Sequence, residues 1–138
     1  MLELQTLKKY GTPIWVEVKV SPSTDVNGKP VGVLGVTRDI SKRRAAQEML
    51  RKLSRAVIQS PNSISITDVE GNFEYVNPQF SNLTGYTPEE VFGKNPLILK
   101  SGKQPRLFYQ QLWETILAGN DWHGEFQNRK KNGDLYWV

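Results

Sequence analysis

The residues from Glu3 to Val16 return, without a gap, as Glu125 to Val138. Seven of the 14 aligned pairs are identical at a constant offset of 122 residues: Glu3/Glu125, Gln5/Gln127, Lys8/Lys130, Lys9/Lys131, Gly11/Gly133, Trp15/Trp137 and Val16/Val138. That offset is the size of a domain and too long for a solenoid repeat. Both copies carry Lys-Lys-x-Gly between two strand-forming stretches, so each is expected to be a β-hairpin. Chance resemblance of two hairpins would reproduce the turn. It would not reproduce Glu, Gln, Trp and Val at fixed register. The expectation is a stretch of a tandem array that begins inside one copy and stops at the same point of the next.

The pattern between the two copies sets the remaining elements. Trp15 to Val20 alternates, with Val16, Val18 and Val20 on one face. Ser21 to Pro30 reads as a loop, and Val31 to Thr37 as an apolar, buried-type strand. Ser41 is placed as the N-cap of a helix running to about Ile58. In it Ala46, Leu50, Leu53 and Val57 are spaced four, three, four, the seam of a short coiled coil or the inner stripe of a helix on its own sheet. Strands are expected at Ser63 to Asp68 and Phe73 to Val76, and short helices after Asn77-Pro78 and after Thr87-Pro88. A longer helix is expected over Arg106 to Ala118, its apolar face formed by Leu107, Phe108, Leu112, Ile116 and Leu117. Strands Trp122 to Arg129 and Asp134 to Val138 end the chain. The organisation is thus residues 1–40 as the closing strands of one repeat, 41–58 as a linking, signalling helix, and 59–138 as the opening and central part of the next repeat.

Composition removes several kinds of chemistry. The 138 residues hold no cysteine and one histidine, His123, which excludes disulfides, thiolate nucleophiles, thiolate metal sites and multi-histidine metal clusters. The net charge of +4 sits largely in Lys42-Arg43-Arg44 and Arg129-Lys130-Lys131. Two split runs do not make the continuous basic face with aromatic platforms that nucleic acid requires, so no nucleic-acid partner is expected. No apolar stretch reaches the roughly 18 residues of a membrane span, and no insertion is expected from this segment. Neither a partnered Ser/His/Asp set nor a phosphate-binding glycine loop occurs, and Glu89-Glu90 reads as helix-dipole compensation. The reading is a cytoplasmic, non-enzymatic module.

Taken in order, Ser65 to Asp68, Glu70-Gly71, Tyr75 to Asn77, Phe80, Thr84 to Tyr86, Glu89-Glu90, Gly93 to Asn95 and the strand after Trp122 resemble the core of a PAS domain. Thr37 to Ser41 resembles the terminal motif that couples the last PAS strand to an output helix. The resemblance implies an α+β fold: a five-stranded antiparallel sheet with short helices across one face. Residues 14–38 are then expected to complete the sheet begun by 63–138, within one chain as a permuted fold or between two chains as a swapped homodimer. Residues 1–7 would compete with the 122–129 strand. A more detailed likeness, from Gly93 to Gly102 and through Trp122 to Lys130, is to flavin-binding PAS domains of nitrogen-fixation redox sensors. Gly93 to Pro96 is also similar to the photoactive segment of light-oxygen-voltage domains, where the position of Pro96 is a reactive cysteine. A cysteinyl–flavin adduct is therefore excluded.

The resemblance carries specific residues. Asn128 matches an asparagine that hydrogen-bonds the flavin ring in those relatives. A primary amide donates and accepts together, as a pyrimidine-like edge requires. Its other reading is a solvent-facing residue beside the turn, and its repeat equivalent is Thr6. Trp122 matches a tryptophan near the isoalloxazine, or else anchors the start of a strand. Asn95 resembles a pocket-lining amide, or else caps a short helix. Haem-binding PAS domains carry their iron ligand on the longer helix, which His123 follows, so haem is not expected. Asp39 matches the aspartate that pairs with a basic group at the helix start, with Arg38, Lys42, Arg43 and Arg44 nearby. Asp39, Ser41, Leu50 and Leu53 are the expected coupling residues.

Two functions follow. One is a sensory module that binds a small ligand, FAD or FMN, and relays its state along the helix to an output domain such as a histidine kinase of a two-component system or a cyclic-nucleotide synthase. The other is a cofactor-free module that dimerises, through strand exchange or the coiled coil, and relays signals without a bound group.

Overall fold

The computed structural model describes residues 1–138. Its elements run β1 (Leu2–Leu7), β2 (Pro13–Thr24), β3 (Pro30–Asp39), α1 (Ser41–Ile58), β4 (Ser65–Thr67), β5 (Phe73–Val76), α2 (Pro78–Thr84), α3 (Pro88–Val91), a 3-10 turn (Pro96–Leu99), α4 (Arg106–Leu117), β6 (Gln127–Arg129) and β7 (Leu135–Trp137). The chain forms two units, Met1–Ser54 and Arg55–Val138. No helix is long and apolar enough to cross a membrane.

In the first unit β1, β2 and β3 form an antiparallel three-stranded sheet in that order. Leu4 pairs with Val16, and Val18 with Thr37. The loop expected after Val20 is instead the continuation of β2 to Thr24, because Ser21 to Thr24 pair with Leu34 to Pro30 across a bulge. A proline on a strand edge costs no ladder bond when its missing N–H faces away from the partner, which is how Pro22 is tolerated. The turn closes at Asp25, whose Oδ1 accepts from the N–H groups of Asn27 and Lys29. Val16 and Ile40 are buried. The sheet otherwise leaves much apolar surface open, with Leu2, Val20, Val31, Val33 and Leu34 all more than half exposed.

The second unit has its core in Phe73, Val76, Phe80, Val91 and Leu99. Phe73 and Phe80 meet edge to face at 5.4 Å, the geometry favoured by aromatic quadrupoles. Asn77 caps α2: its Oδ1 accepts from the N–H of Phe80 and also from that of Ile64. Thr87 and Glu90 form a reciprocal capping box on α3. Hydrogen bonding to Lys131, then to the Thr87 backbone, holds the Glu90 carboxyl below the usual range. Gly85 ends α2 in the left-handed conformation at φ 80°, where a side chain would be strained.

The ladders differ from the single five-stranded sheet expected. The strands form one three-stranded sheet, β1-β2-β3, and two hairpins, β4-β5 and β6-β7. Within the first unit β2 pairs with both β1 and β3. β1 does not compete with β6: each takes the partner that its own turn delivers. The strand expected from Trp122 shrinks to Gln127–Arg129, with Phe126 and Val138 still exchanging N–H···O bonds of 2.9 and 3.0 Å.

The internal repeat survives as geometry. Gln5 pairs with Trp15 as Gln127 pairs with Trp137, and Thr6 with Ile14 as Asn128 with Tyr136. The turns also match, Lys8 N–H to Thr12 O at 2.8 Å and Lys130 N–H to Asp134 O at 2.8 Å. Gly11 and Gly133 both take positive φ, 81° and 96°.

Candidate functional site

Residues of the second unit line a cleft-like cavity of about 570 Å³, within the usual size range for a small-molecule pocket. Helix α2 contributes Phe80 and Leu83, the segment 95–100 gives Asn95, Leu99 and Lys100, and α4 gives Tyr109, Leu112 and Trp113. The β6–β7 hairpin closes it with Phe126, Asn128, Tyr136 and Val138. Strand alternation puts these four on one face. Antiparallel pairing sets Asn128 directly across from Tyr136.

Asn128 is buried, at 8% exposure, and stands in the cavity wall. The solvent-facing alternative is therefore not its position. The reason is tertiary. The backbone of residues 100–101 docks on β6, with a bridge between Lys100 and Asn128. Ser101 Oγ donates to the carbonyl of Gln127 at 2.6 Å, and Arg129 donates to the carbonyl of Ser101 at 3.2 Å. Burial pushes the phenol of Tyr136 up, and the Asn128 amide opposite it offsets part of that shift.

Asn95 occupies both positions read from the sequence. Its Oδ1 accepts from the N–H of Leu97 at 3.0 Å and caps the 3-10 turn, and the residue also lines the cavity. Trp122 does not line it. Its indole packs on Phe108 at 5.4 Å and Phe126 at 6.0 Å. A Cβ on Gly124 would collide with that indole, so Trp122-His123-Gly124 is a packing unit whose glycine makes room for the ring. His123 is exposed and lies outside any strand.

Helix α4 turns part of its expected apolar face inward, with Leu112 in the cavity wall and Phe108 packed on Trp122 and Phe126. Leu107, Ile116 and Leu117 are 60%, 47% and 81% exposed. The cavity face is Tyr109, Leu112 and Trp113, an i, i+3, i+4 set. Counting aromatics with aliphatics at that spacing would have found it. Tyr109 and Tyr136 also belong to the cavity wall.

The expected coupling residues lie in the first unit. Ser41 begins α1, but its hydroxyl accepts from the backbone N–H of Trp15 at 3.0 Å and does not cap the helix. Asp39 takes the capping role, accepting from the N–H of Ser41 at 2.9 Å. That bond, first, and nearby Lys8 and Lys42, last, hold its carboxyl below the usual range. Its basic partner is Lys8, at 3.9 Å, and none of the residues at the helix start. Those residues pair elsewhere: Arg43 reaches Glu3 at 2.9 Å and Glu17 at 3.4 Å, and Arg44 reaches Glu3 at 2.8 Å. The Arg44 guanidinium also stacks 3.8 Å from the Trp15 ring centroid. Helix α1 buries none of its residues, and Leu50 and Leu53 are 66% and 56% exposed.

Antiparallel strands, short capped helices and a longer helix before a closing hairpin, in this order, define the class of small α+β sensory domains. The chain belongs to the PAS domain family, whose model matches residues 1–42 and 61–138. It is a PAS sensory domain of the kind carried by signalling proteins. It is 39% identical over 82 residues to a nitrogen fixation regulatory protein of Klebsiella oxytoca, covering 59% of this chain and 17% of that protein. It is 33% identical over 75 residues to the aerotaxis receptor of Escherichia coli K12, covering 54% of this chain and 15% of that one. It is 30% identical over 141 residues to the oxygen sensor protein DosP of the same organism, covering 99% of this chain and 17% of that one. The chain thus spans less than a fifth of the length of these relatives. Among solved structures, a PAS domain from Colwellia psychrerythraea matches with a TM-score of 0.59 at 21% identity, covering 64% of this chain and 75% of that one.

Proposed function

We propose that this module senses by binding a flavin, FAD or FMN, in the cavity of residues 55–138, and relays its state through α1. The observation that carries the reading is Asn128: a buried primary amide facing an aromatic-walled cavity of about 570 Å³. An amide there supplies a donor and an acceptor side by side, which suits the edge of a flavin pyrimidine ring. Phe80, Trp113 and Phe126 supply apolar walls for a flat ring system. The likeness of residues 93–102 and 122–130 to flavin-binding PAS domains supports the same ligand, and so does the similarity to a nitrogen fixation regulatory protein. Relay would start from the bonds of Asp39 and Ser41 at the foot of α1 and continue along the exposed Leu50–Leu53 seam. The proposed setting is a cytoplasmic, multi-domain signalling protein whose output lies outside this chain.

Protein refolded with excess FAD or FMN is expected to retain the visible flavin band after desalting. Asn128→Leu is expected to bind about tenfold more weakly, the size of one lost hydrogen bond to a polar ligand. A colourless wild-type protein after that treatment would sink the flavin reading.

One observation favours a second, compatible reading, the swapped homodimer. The β1–β2 hairpin has the register of the β6–β7 hairpin that walls the cavity. Leu4, Thr6, Ile14 and Val16 correspond to Phe126, Asn128, Tyr136 and Val138. The three-stranded sheet therefore carries a face shaped to close a PAS helical layer, and a second copy has one. Light scattering on a size-exclusion column is expected to give a dimer mass that Val20→Asp and Val33→Asp together return to monomer. A wild-type monomer at all concentrations would overturn it.

A further inference from the structure

The cavity wall contains one buried hydroxyl that the protein leaves without a partner. Tyr109 Oη is buried and makes no hydrogen bond, although its side chain is part of the cavity wall. Its ring is held in place. The Phe108 ring meets it edge-on at 5.5 Å, and the Lys100 ammonium lies over it, 4.4 Å from the centroid. A buried hydroxyl without a partner is destabilising, and the great majority of such groups in folded proteins are satisfied. A ring fixed on both sides cannot easily swing its hydroxyl out to water.

We infer that Tyr109 is a specificity-determining contact of this cavity, donating its hydroxyl hydrogen bond to an acceptor oxygen of the bound ligand. The inference rests on the flavin reading above and adds to it a residue on α4, across the sequence from Asn128 on β6. Burial pushes the phenol up, so it remains a protonated donor throughout the physiological range. The Lys100 ammonium stands beside it in the cavity lining, so the oxygen it meets is a carbonyl or an anionic oxygen. A flavin offers that chemistry from two sources, its ring carbonyls and its phosphate.

Tyr109→Phe separates a ligand contact from a structural role because the two predict opposite signs. The ligand-free variant should melt at or above the wild-type temperature, since the change removes an unpartnered buried polar group. Its affinity for FMN should fall about tenfold, and the visible band of bound flavin should shift. Riboflavin, which lacks the phosphate, identifies the oxygen. An equal loss with riboflavin and FMN assigns the ring, and a loss confined to FMN and FAD assigns the phosphate. A lower melting temperature without ligand would mean that the hydroxyl serves the protein itself, and unchanged affinity would mean that it meets nothing. Either overturns the inference while flavin binding stands. If the wild type itself takes up no flavin, the reading fails at its root and the inference falls with it.

Discussion

Replacing Asn77 by alanine is expected to remove about 3–5 kcal/mol of stability and to lower the melting temperature by more than roughly 10 °C. Asn77 has no exposed surface. Its carboxamide uses both ends. Oδ1 accepts from the N–H groups of Ile64 and Phe80, and Nδ2 donates to the carbonyls of Val57 and Asn62. Those four backbone groups come from the last turn of α1, the segment after it and the first turn of α2, and the truncated side chain would leave them without that partner. Each buried polar group so left costs on the order of 1–3 kcal/mol, with some relief from local relaxation. Thr87→Ala is the control. It removes a cap on α3 that is exposed, and should cost about 1 kcal/mol. Urea unfolding of both variants checks the difference. An Asn77→Ala loss no larger than that of Thr87→Ala would show that capping alone accounts for Asn77.

Phe80→Ala is expected to cost about 3–5 kcal/mol, the range for deleting a buried aromatic. Phe80 is 3% exposed and belongs at once to the core and to the cavity wall. Deleting its ring removes the edge-to-face partner of Phe73 and joins new empty volume to a cavity already present. The surroundings cannot collapse easily, because α2 is pinned at both ends by Asn77 and by the Gly85 N–H bond to Ser81. The cost should therefore fall in the upper part of the range. Leu107→Ala, on the exposed face of α4, should cost less than about 0.5 kcal/mol. Equal losses for the two variants would show that the core does not lie where Phe73, Phe80 and Val91 place it.

The capping parts of these predictions depend on local signals that the sequence carried openly. Asn77-Pro78 and Thr87-Pro88 each place a capping side chain before a proline with helical φ. A backbone N–H three residues on then has one nearby acceptor, and that choice is settled within a few residues. The boundaries of α1 and the turns at Gly11 and Gly133 were legible for the same reason. Features of tertiary origin leave a weaker trace in the sequence. Of the expected α4 stripe Leu107, Phe108, Leu112, Ile116 and Leu117, Leu112 lines the cavity and Phe108 packs on Trp122, while Leu107, Ile116 and Leu117 stay exposed and Tyr109 and Trp113 join the cavity wall. An amphipathic pattern shows that a helix has an apolar side. Where aliphatic and aromatic residues occupy adjacent faces, only the packed neighbours choose between them.

The same division runs through the candidate site. The repeat at an offset of 122 residues fixed two hairpins and their register, because turn chemistry and side-chain alternation act over a dozen residues. It could not fix strand partners, which depend on which edges meet. The repeat left open whether residues 14–38 complete a sheet within one chain or between two, and in the first unit they pair as β2 and β3 beside β1. Asn128 was identifiable from the sequence as an amide of interest. That it faces a cavity follows only from the docking of Ser101 and Lys100 on β6. Asp39 and Ser41 were placed correctly at the strand–helix junction, but their partners, Lys8 and the Trp15 backbone, lie some 26 or more residues away. The sequence by itself determined the turns, the caps, the repeat and the family pattern, all governed by short-range sterics and hydrogen bonds. The tertiary structure decided which polar groups are buried and which face inward, because burial is a property of surfaces brought together from distant parts of the chain.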